Sequence, residues 1–180
     1  MLKDMLTILL GGIIANNYAL TNYLGTANFL GFAEKKEKTV CVGLGVTAVM
    51  TVSAAVCALL DGVVPAYLHI LAWVVVALAV SAVLGVACKA ICKKSCGFCL
   101  PLVVLNSAVL GVCLNNTVVG YSVLESVVSA LGVGLGFLVG MLVFAGVLDR
   151  IEEHYVPKAL RGLPIQLIAA GLVSLAVSAF

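Results

Sequence analysis

The residues of this chain that could do chemistry are few: seven cysteines, two histidines, a handful of acids and a run of asparagines in apolar surroundings. Four cysteines, Cys88, Cys92, Cys96 and Cys99, crowd the stretch CKAICKKSCGFC. The first three recur every fourth residue and would share one helical face, while Cys96 and Cys99 have the CxxC spacing found in metal and redox sites. A single CxxC is a weak signal, and small apolar-tolerant residues in a basic loop account for it equally, so no metal site is assigned. Cys41, Cys57 and Cys113 lie within apolar runs and read as small membrane-buried hydrophobes. His69, beside Tyr67, reads as an interface residue. Asp61 and Glu125 fall at the ends of apolar segments, where an acid is either interfacial or functional. No catalytic residue set emerges.

The asparagines carry more information. The stretch IIANNYALTNYLGTANFLG places Asn16, Asn17, Asn22 and Asn28 among apolar residues, with Gly25 and Gly31 as break points. A second stretch, GFCLPLVVLNSAVLGVCLNN, has Pro101 near its start and Asn106 and Ser107 within it. One buried amide is adequately explained as glue between helices, worth about 0.6–2 kcal/mol. A series of amides on successive turns is more than gluing requires. We therefore read Asn16, Asn17, Asn22 and Asn106 as buried polar residues beside helix breaks, facing protein and not lipid.

The elements that position these residues follow from composition. Of 180 residues, 63% are hydrophobic and 10% charged, against about 25% charged in an ordinary soluble domain; the mean hydropathy is +1.24. Such a chain cannot clothe a water-soluble surface, which excludes a soluble hydrolase or Rossmann enzyme. A net charge of +2, with the basic residues in short connecting clusters, leaves no face for nucleic acid. A bilayer core takes about 20 helical residues to cross, and cutting the sequence at its charges gives six apolar segments: roughly Met5 to Leu30, Thr39 to Leu60, Val63 to Ala87, Phe98 to Leu114, Val119 to Leu148 and Leu163 to Phe180. The fold expected is all-α, a polytopic membrane protein of six transmembrane helices. The first apolar stretch lacks a basic leader region and an A-x-A-like site, so it is expected to remain in the mature protein.

Basic residues are retained on the cytoplasmic side of membrane proteins. Here Lys35, Lys36 and Lys38 lie in the first connection, Lys89, Lys93 and Lys94 in the third, and Arg150, Lys158 and Arg161 in the fifth, while the second and fourth contain none. The odd connections are thus expected inside and both termini on the outer side of the cell membrane. The stretch DRIEEHYVPKALRG, residues 149–162, is expected to lie along the cytoplasmic surface before Pro164. Segments one and four, the two with helix breaks, each lead a group of three. This predicts one membrane domain, residues 1–180, built as two inverted three-helix repeats, about 1–90 and 91–180, with interrupted first and fourth helices.

The stretches LLGGIIANNYALTNYLGTANFLGF, LPLVVLNSAVLGV and VPKALRGLPIQLIAAGLVSLAVSAF resemble the A subunits of Rnf complexes, ion-translocating ferredoxin:NAD oxidoreductases related to the sodium-pumping NADH:quinone oxidoreductase. The resemblance covers essentially the whole chain. It implies an integral membrane subunit of an electron transport complex that couples ferredoxin/NAD redox chemistry to sodium or proton translocation across the cell inner membrane; catalysis belongs to the complex and not to the isolated chain. It also implies partners: a homologous E subunit packed with inverted orientation, and further iron–sulfur and flavin-bearing subunits. Between A and E the family places a [2Fe–2S] cluster, two cysteines coming from each subunit.

Against that pattern this sequence departs twice. Where the family motif reads L-G-x-C-P-F-L-G, this chain has Leu24-Gly25-Thr26-Ala27-Asn28-Phe29-Leu30-Gly31; where it reads N-C-A-V-L-G, this chain has Asn106-Ser107-Ala108-Val109-Leu110-Gly111. Ala27 and Ser107 occupy the two cluster-ligand positions, and neither can supply an iron-binding thiolate. No cofactor is therefore assigned to this chain alone. The alternative from another class is a substrate-binding six-helix component of a vitamin or metal transporter, which calls for an aromatic-lined pocket with convergent polar groups; one Trp in the whole chain weighs against it.

Overall fold

The computed structural model describes residues 2–13, 24–25, 36–91, 106–151 and 156–178. Six α-helices and no strand occur among the described residues: α1 (Leu2–Ile13), α2 (Lys36–Leu60), α3 (His69–Ile91), α4 (Ser107–Val119), α5 (Val123–Leu148) and α6 (Leu163–Ser178). Three apolar stretches are long enough to cross a membrane, Val42–Leu60, Ala66–Val86 and Val123–Leu148; those at Ser107–Val119 and Leu163–Ala176 are shorter. The polytopic all-helical architecture expected from hydropathy is the one observed. Asn16, Asn17, Asn22, Ala27, Asn28 and the cysteines Cys92, Cys96 and Cys99 fall outside the described residues.

Helix α5 is the centre of the molecule. It packs most extensively on α2, then on α1, and α4 lies against α2. Lipid tails are as apolar as leucine, so helices in a membrane associate through close packing of small residues and not through a hydrophobic drive. The sequence GVGLGFLVG of α5 supplies those residues on two faces. A methyl group at Gly132 would sit 2.7 Å from the Leu9 carbonyl oxygen, and one at Gly136 would sit 3.0 Å from that of Gly12. On the opposite face, a methyl at Gly134 would sit 2.6 Å from Cγ2 of Thr47 in α2. Between the glycines, Phe137, Met141 and Phe144 interleave with Val42, Val46, Val49 and Met50 of α2 to make the core. The outward faces of α3 and α6 carry exposed Ile70, Leu71, Val75, Val83, Leu167, Leu172 and Leu175, as lipid-facing helices do.

Several helix ends differ from the hydropathy cuts, each for a local reason. Helix α4 runs to Val119 and not to Leu114, because the amide of Asn116 is buried and paired inside the protein; polarity that reads as the end of the segment belongs to its interior. Gly120, at φ 74°, closes α4, its N–H donating to the carbonyls of Asn116 and Thr117, so α5 begins at Val123 and not Val119. Its start is held by Glu125, whose carboxylate accepts from the backbone N–H and hydroxyl of Ser122 at 3.0 and 2.7 Å. Pro65 and a 3₁₀ turn at Ala66–Leu68 occupy the expected start of the third segment, and α3 opens at His69. Asn106 is not mid-span in a helix but the residue that caps α4.

The glycine contacts give a direct test. Gly132→Val should destabilise the fold by about 1–3 kcal/mol or more through overpacking, read as a lowered unfolding midpoint in detergent. Gly11, in the same turn of α1 as the crossing but with open space around it, should tolerate Ala with no loss.

Candidate functional site

Two polar regions stand out from the apolar bundle. The first is the junction of the two interrupted segments. Gly25 lies in a turn at φ 78° and is buried, a left-handed backbone that glycine adopts without penalty. Its N–H donates to Oγ of Ser107 at 3.0 Å, across 82 residues of sequence. Ser107 is the first residue of α4 and is itself exposed. Beside it Asn106 is 6% exposed; its Oδ1 accepts from the Ala108 N–H at 3.0 Å, which satisfies one of the amides left open at a helix start. The Asn106 Nδ2 has no partner among the described residues. A methyl at Gly25 would sit 2.7 Å from both the Asn106 Oδ1 and the Phe137 ring, so this turn, the cap of α4 and the centre of α5 are locked together.

The second region lies at the end of the bundle where α2 finishes and α5 starts. Asn116 is buried; its Nδ2 donates to the Ser126 carbonyl at 3.2 Å and its Oδ1 accepts from the Ser129 hydroxyl at 2.9 Å. Thr117 accepts from Trp73 Nε1 at 3.1 Å and donates to the Cys113 carbonyl at 3.0 Å. Trp73, fully buried, packs with Cys57 and Cys113 and stacks on His69 with ring centroids 5.2 Å apart. His69 Nε2 is 2.9 Å from the Val64 carbonyl and 3.7 Å from the Asp61 carboxylate. A cleft of about 10 Å³, room for about one water molecule, opens here, lined by Cys57, Asp61, Cys113, Asn116, Thr117, Tyr121 and Ser126 among others. That is smaller than the roughly 300–1,000 Å³ usual for small-molecule sites, and among the described residues no group of three His, Cys, Asp or Glu could hold a metal ion.

Sequence reasoning singles out Asn106 and Ser107, and the structure brings both to Gly25. It misses the cluster around Asn116: by hydropathy Asn115, Asn116 and Thr117 mark the end of a segment, and the helical spacing that sets Asn116 beneath Ser126 and Ser129 becomes visible only once α4 is known to continue. His69, read as an interface residue, is half-buried against Trp73.

A family model described as "Rnf-Nqr subunit, membrane protein" matches residues 5–180. This chain belongs to the Rnf-Nqr family. It is 37% identical over 187 residues, 99% of this chain and 97% of the relative, to a Syntrophotalea carbinolica protein named as the A subunit of an ion-translocating oxidoreductase complex. It is 35% identical over 188 residues, 98% of this chain and 96% of the relative, to the Acetobacterium woodii protein named as the A subunit of a Na(+)-translocating ferredoxin:NAD(+) oxidoreductase complex. An Escherichia fergusonii protein, named as the A subunit of an ion-translocating oxidoreductase complex, is 36% identical over 188 residues, 99% of this chain and 97% of the relative. Membership of a membrane family and the spanning helices make this an integral membrane protein.

The donor set at the junction does not fit an iron–sulfur cluster held by this Rnf-Nqr chain. Ser107 Oγ is engaged as the acceptor of the Gly25 amide, and a neutral hydroxyl is not a thiolate. The junction is a structural joint, and its rigidity is testable. Gly25→Ala, which forces a side chain into a left-handed turn at about 1–2 kcal/mol and against Asn106 and Phe137, should lower the thermal midpoint of the purified protein. A Gly45→Ala control, in open space, should not.

Proposed function

We propose that this chain is the A-type membrane subunit of an Rnf-type complex, in which electron transfer between ferredoxin and NAD drives sodium or protons across the cytoplasmic membrane. The observation that carries this reading is its full-length likeness to proteins named as A subunits, at 35% and 37% identity in the two just described. The bundle agrees in kind: α1 lies on α5 and α4 on α2, the pairings that a two-fold repeat of α1–α3 with α4–α6 would exchange. This supports reading residues 1–90 and 91–180 as inverted halves. The clusters of Lys and Arg favour a cytoplasmic position for the connections at 34–38, 89–94 and 149–162, with both termini outside.

The partners proposed are the iron–sulfur and flavin-bearing subunits together with the homologous E subunit. An exposed serine at the start of α4, beside a buried Asn106 Nδ2 that has no partner among the described residues, suits contact with another protein better than contact with lipid. Deleting this chain should abolish ferredoxin-driven NAD reduction coupled to ion uptake in inverted membrane vesicles, and a plasmid copy should restore it. Unchanged coupled activity in the deletion strain contradicts the reading.

With Ala27 and Ser107 at the family's ligand positions, this chain contributes no thiolate pair to a shared cluster, and electron passage at this point depends on groups held elsewhere in the complex. Iron analysis and EPR of the chain co-purified with its homologous partner should show no stoichiometric [2Fe–2S] signal that depends on this chain. The Ala27→Cys, Ser107→Cys double variant should gain one. A full signal from the unaltered pair that survives loss of Cys41 and Cys113 contradicts it.

A further inference from the structure

The cleft at the end of α2 and the start of α5 presents acceptors. Three of its polar groups direct a proton elsewhere: the Thr117 hydroxyl to the Cys113 carbonyl, the Ser126 hydroxyl to the Tyr121 carbonyl at 3.4 Å, the Asn116 amide to the Ser126 carbonyl. What these three groups leave toward the cleft are lone pairs, beside the Tyr121 side chain and the Asp61 carboxylate. The Asp61 side chain is 40% exposed, and its inward Oδ1 has no hydrogen-bond donor among the described residues. His69 stands 3.7 Å away, but its Nε2 is already placed on the Val64 carbonyl. Asp61 directly follows the C-terminus of α2, where the helix dipole is negative and repels an anion. No lysine or arginine lies in the adjoining connections, residues 61–65 and 120–122, and the other acid nearby, Glu125, is committed to capping α5.

A carboxylate oxygen without a donor, at the negative end of a helix, among spare oxygen lone pairs, is balanced by a cation from solution. One carboxylate with neutral oxygens suits a monovalent ion; divalent ions draw on more carboxylates, and no three-ligand set of His, Cys, Asp or Glu is available among the described residues. A proton would need one acceptor only, whereas here an amide oxygen and two hydroxyl oxygens line the same space. We propose that this cleft is a sodium-binding site, anchored by Asp61 and completed by oxygens of Asn116, Thr117 and Ser126, at which the complex exchanges its coupling ion with the aqueous phase opposite the basic connections. The site deepens the function proposed above and rests on it.

The test is equilibrium binding of ²²Na⁺ to the purified complex at constant ionic strength, with choline as the balancing cation. Saturable binding is expected, weakened at least tenfold in Asp61→Asn and by less in Asp61→Glu, which keeps the charge. Ser126→Ala, which removes one lining oxygen without touching the helix cap, should weaken it at least threefold. Affinity unchanged in both Asp61→Asn and Ser126→Ala, or no saturable sodium binding by the unaltered complex, overturns the site. Ferredoxin-driven NAD reduction, measured separately on the same preparation, tests the function: its absence with sodium binding intact contradicts the Rnf reading and leaves the site standing.

Discussion

At membrane depth a backbone N–H or C=O finds no water, and each unpaired group costs several kcal/mol. The rest of this structure answers that constraint. Helices solve it along most of the chain, and the polar chemistry lies where they stop. At Gly25 the turn hands its amide to a serine hydroxyl 82 residues away. At Asn106 a side chain takes over the open amide of α4, and at Ser122 a glutamate does the same for α5. These joints require the elements to approach closely, and the glycines of α5 permit it: Gly132 and Gly136 admit the backbone of α1, and Gly134 admits α2. Close packing and polar satisfaction are thus one solution seen from two sides.

The same economy shapes the two polar regions. The junction is tightly closed, its hydroxyl already engaged, with no thiolate at Ser107 to offer a metal. The cleft beyond Cys57 and Cys113 is different in kind, because Asn116, Thr117 and Ser126 direct protons away from it and the Asp61 Oδ1 has no donor among the described residues. A rigid joint in the membrane interior and an acceptor-rich mouth at one end are compatible with a subunit that contributes to ion passage while leaving electron carriers to its partners.

Much of the fold is legible in the sequence, because charge interrupts apolar runs clearly and lysines mark alternate connections. Six helices can be counted from this alone. Helix ends are less legible where a polar residue lies inside a helix: Asn116 reads as a terminus by hydropathy, yet its amide is paired with Ser126 and Ser129 across α5. The position of Asn106 is readable as polar and special, but its role as a cap depends on where α4 begins, which Pro101 suggests without fixing. The pairing of Gly25 with Ser107 joins distant residues and leaves no local periodicity to read. The cleft is illegible for a related reason: Asp61, Asn116 and Ser126 come from three elements, and each alone looks like an ordinary residue at the end of an apolar segment.

The central claim is that this chain works within an assembly of several membrane subunits, with its interrupted segments joined at a protein-facing edge. The most direct measurement is a cryo-EM reconstruction, in lipid, of the complex isolated through a tag on this chain. A second multi-helix subunit is expected to cover Ser107 and the start of α4, with the Gly25 amide still on the Ser107 hydroxyl. Lipid packed directly against that edge, or a chain that purifies with no membrane partner, would contradict it.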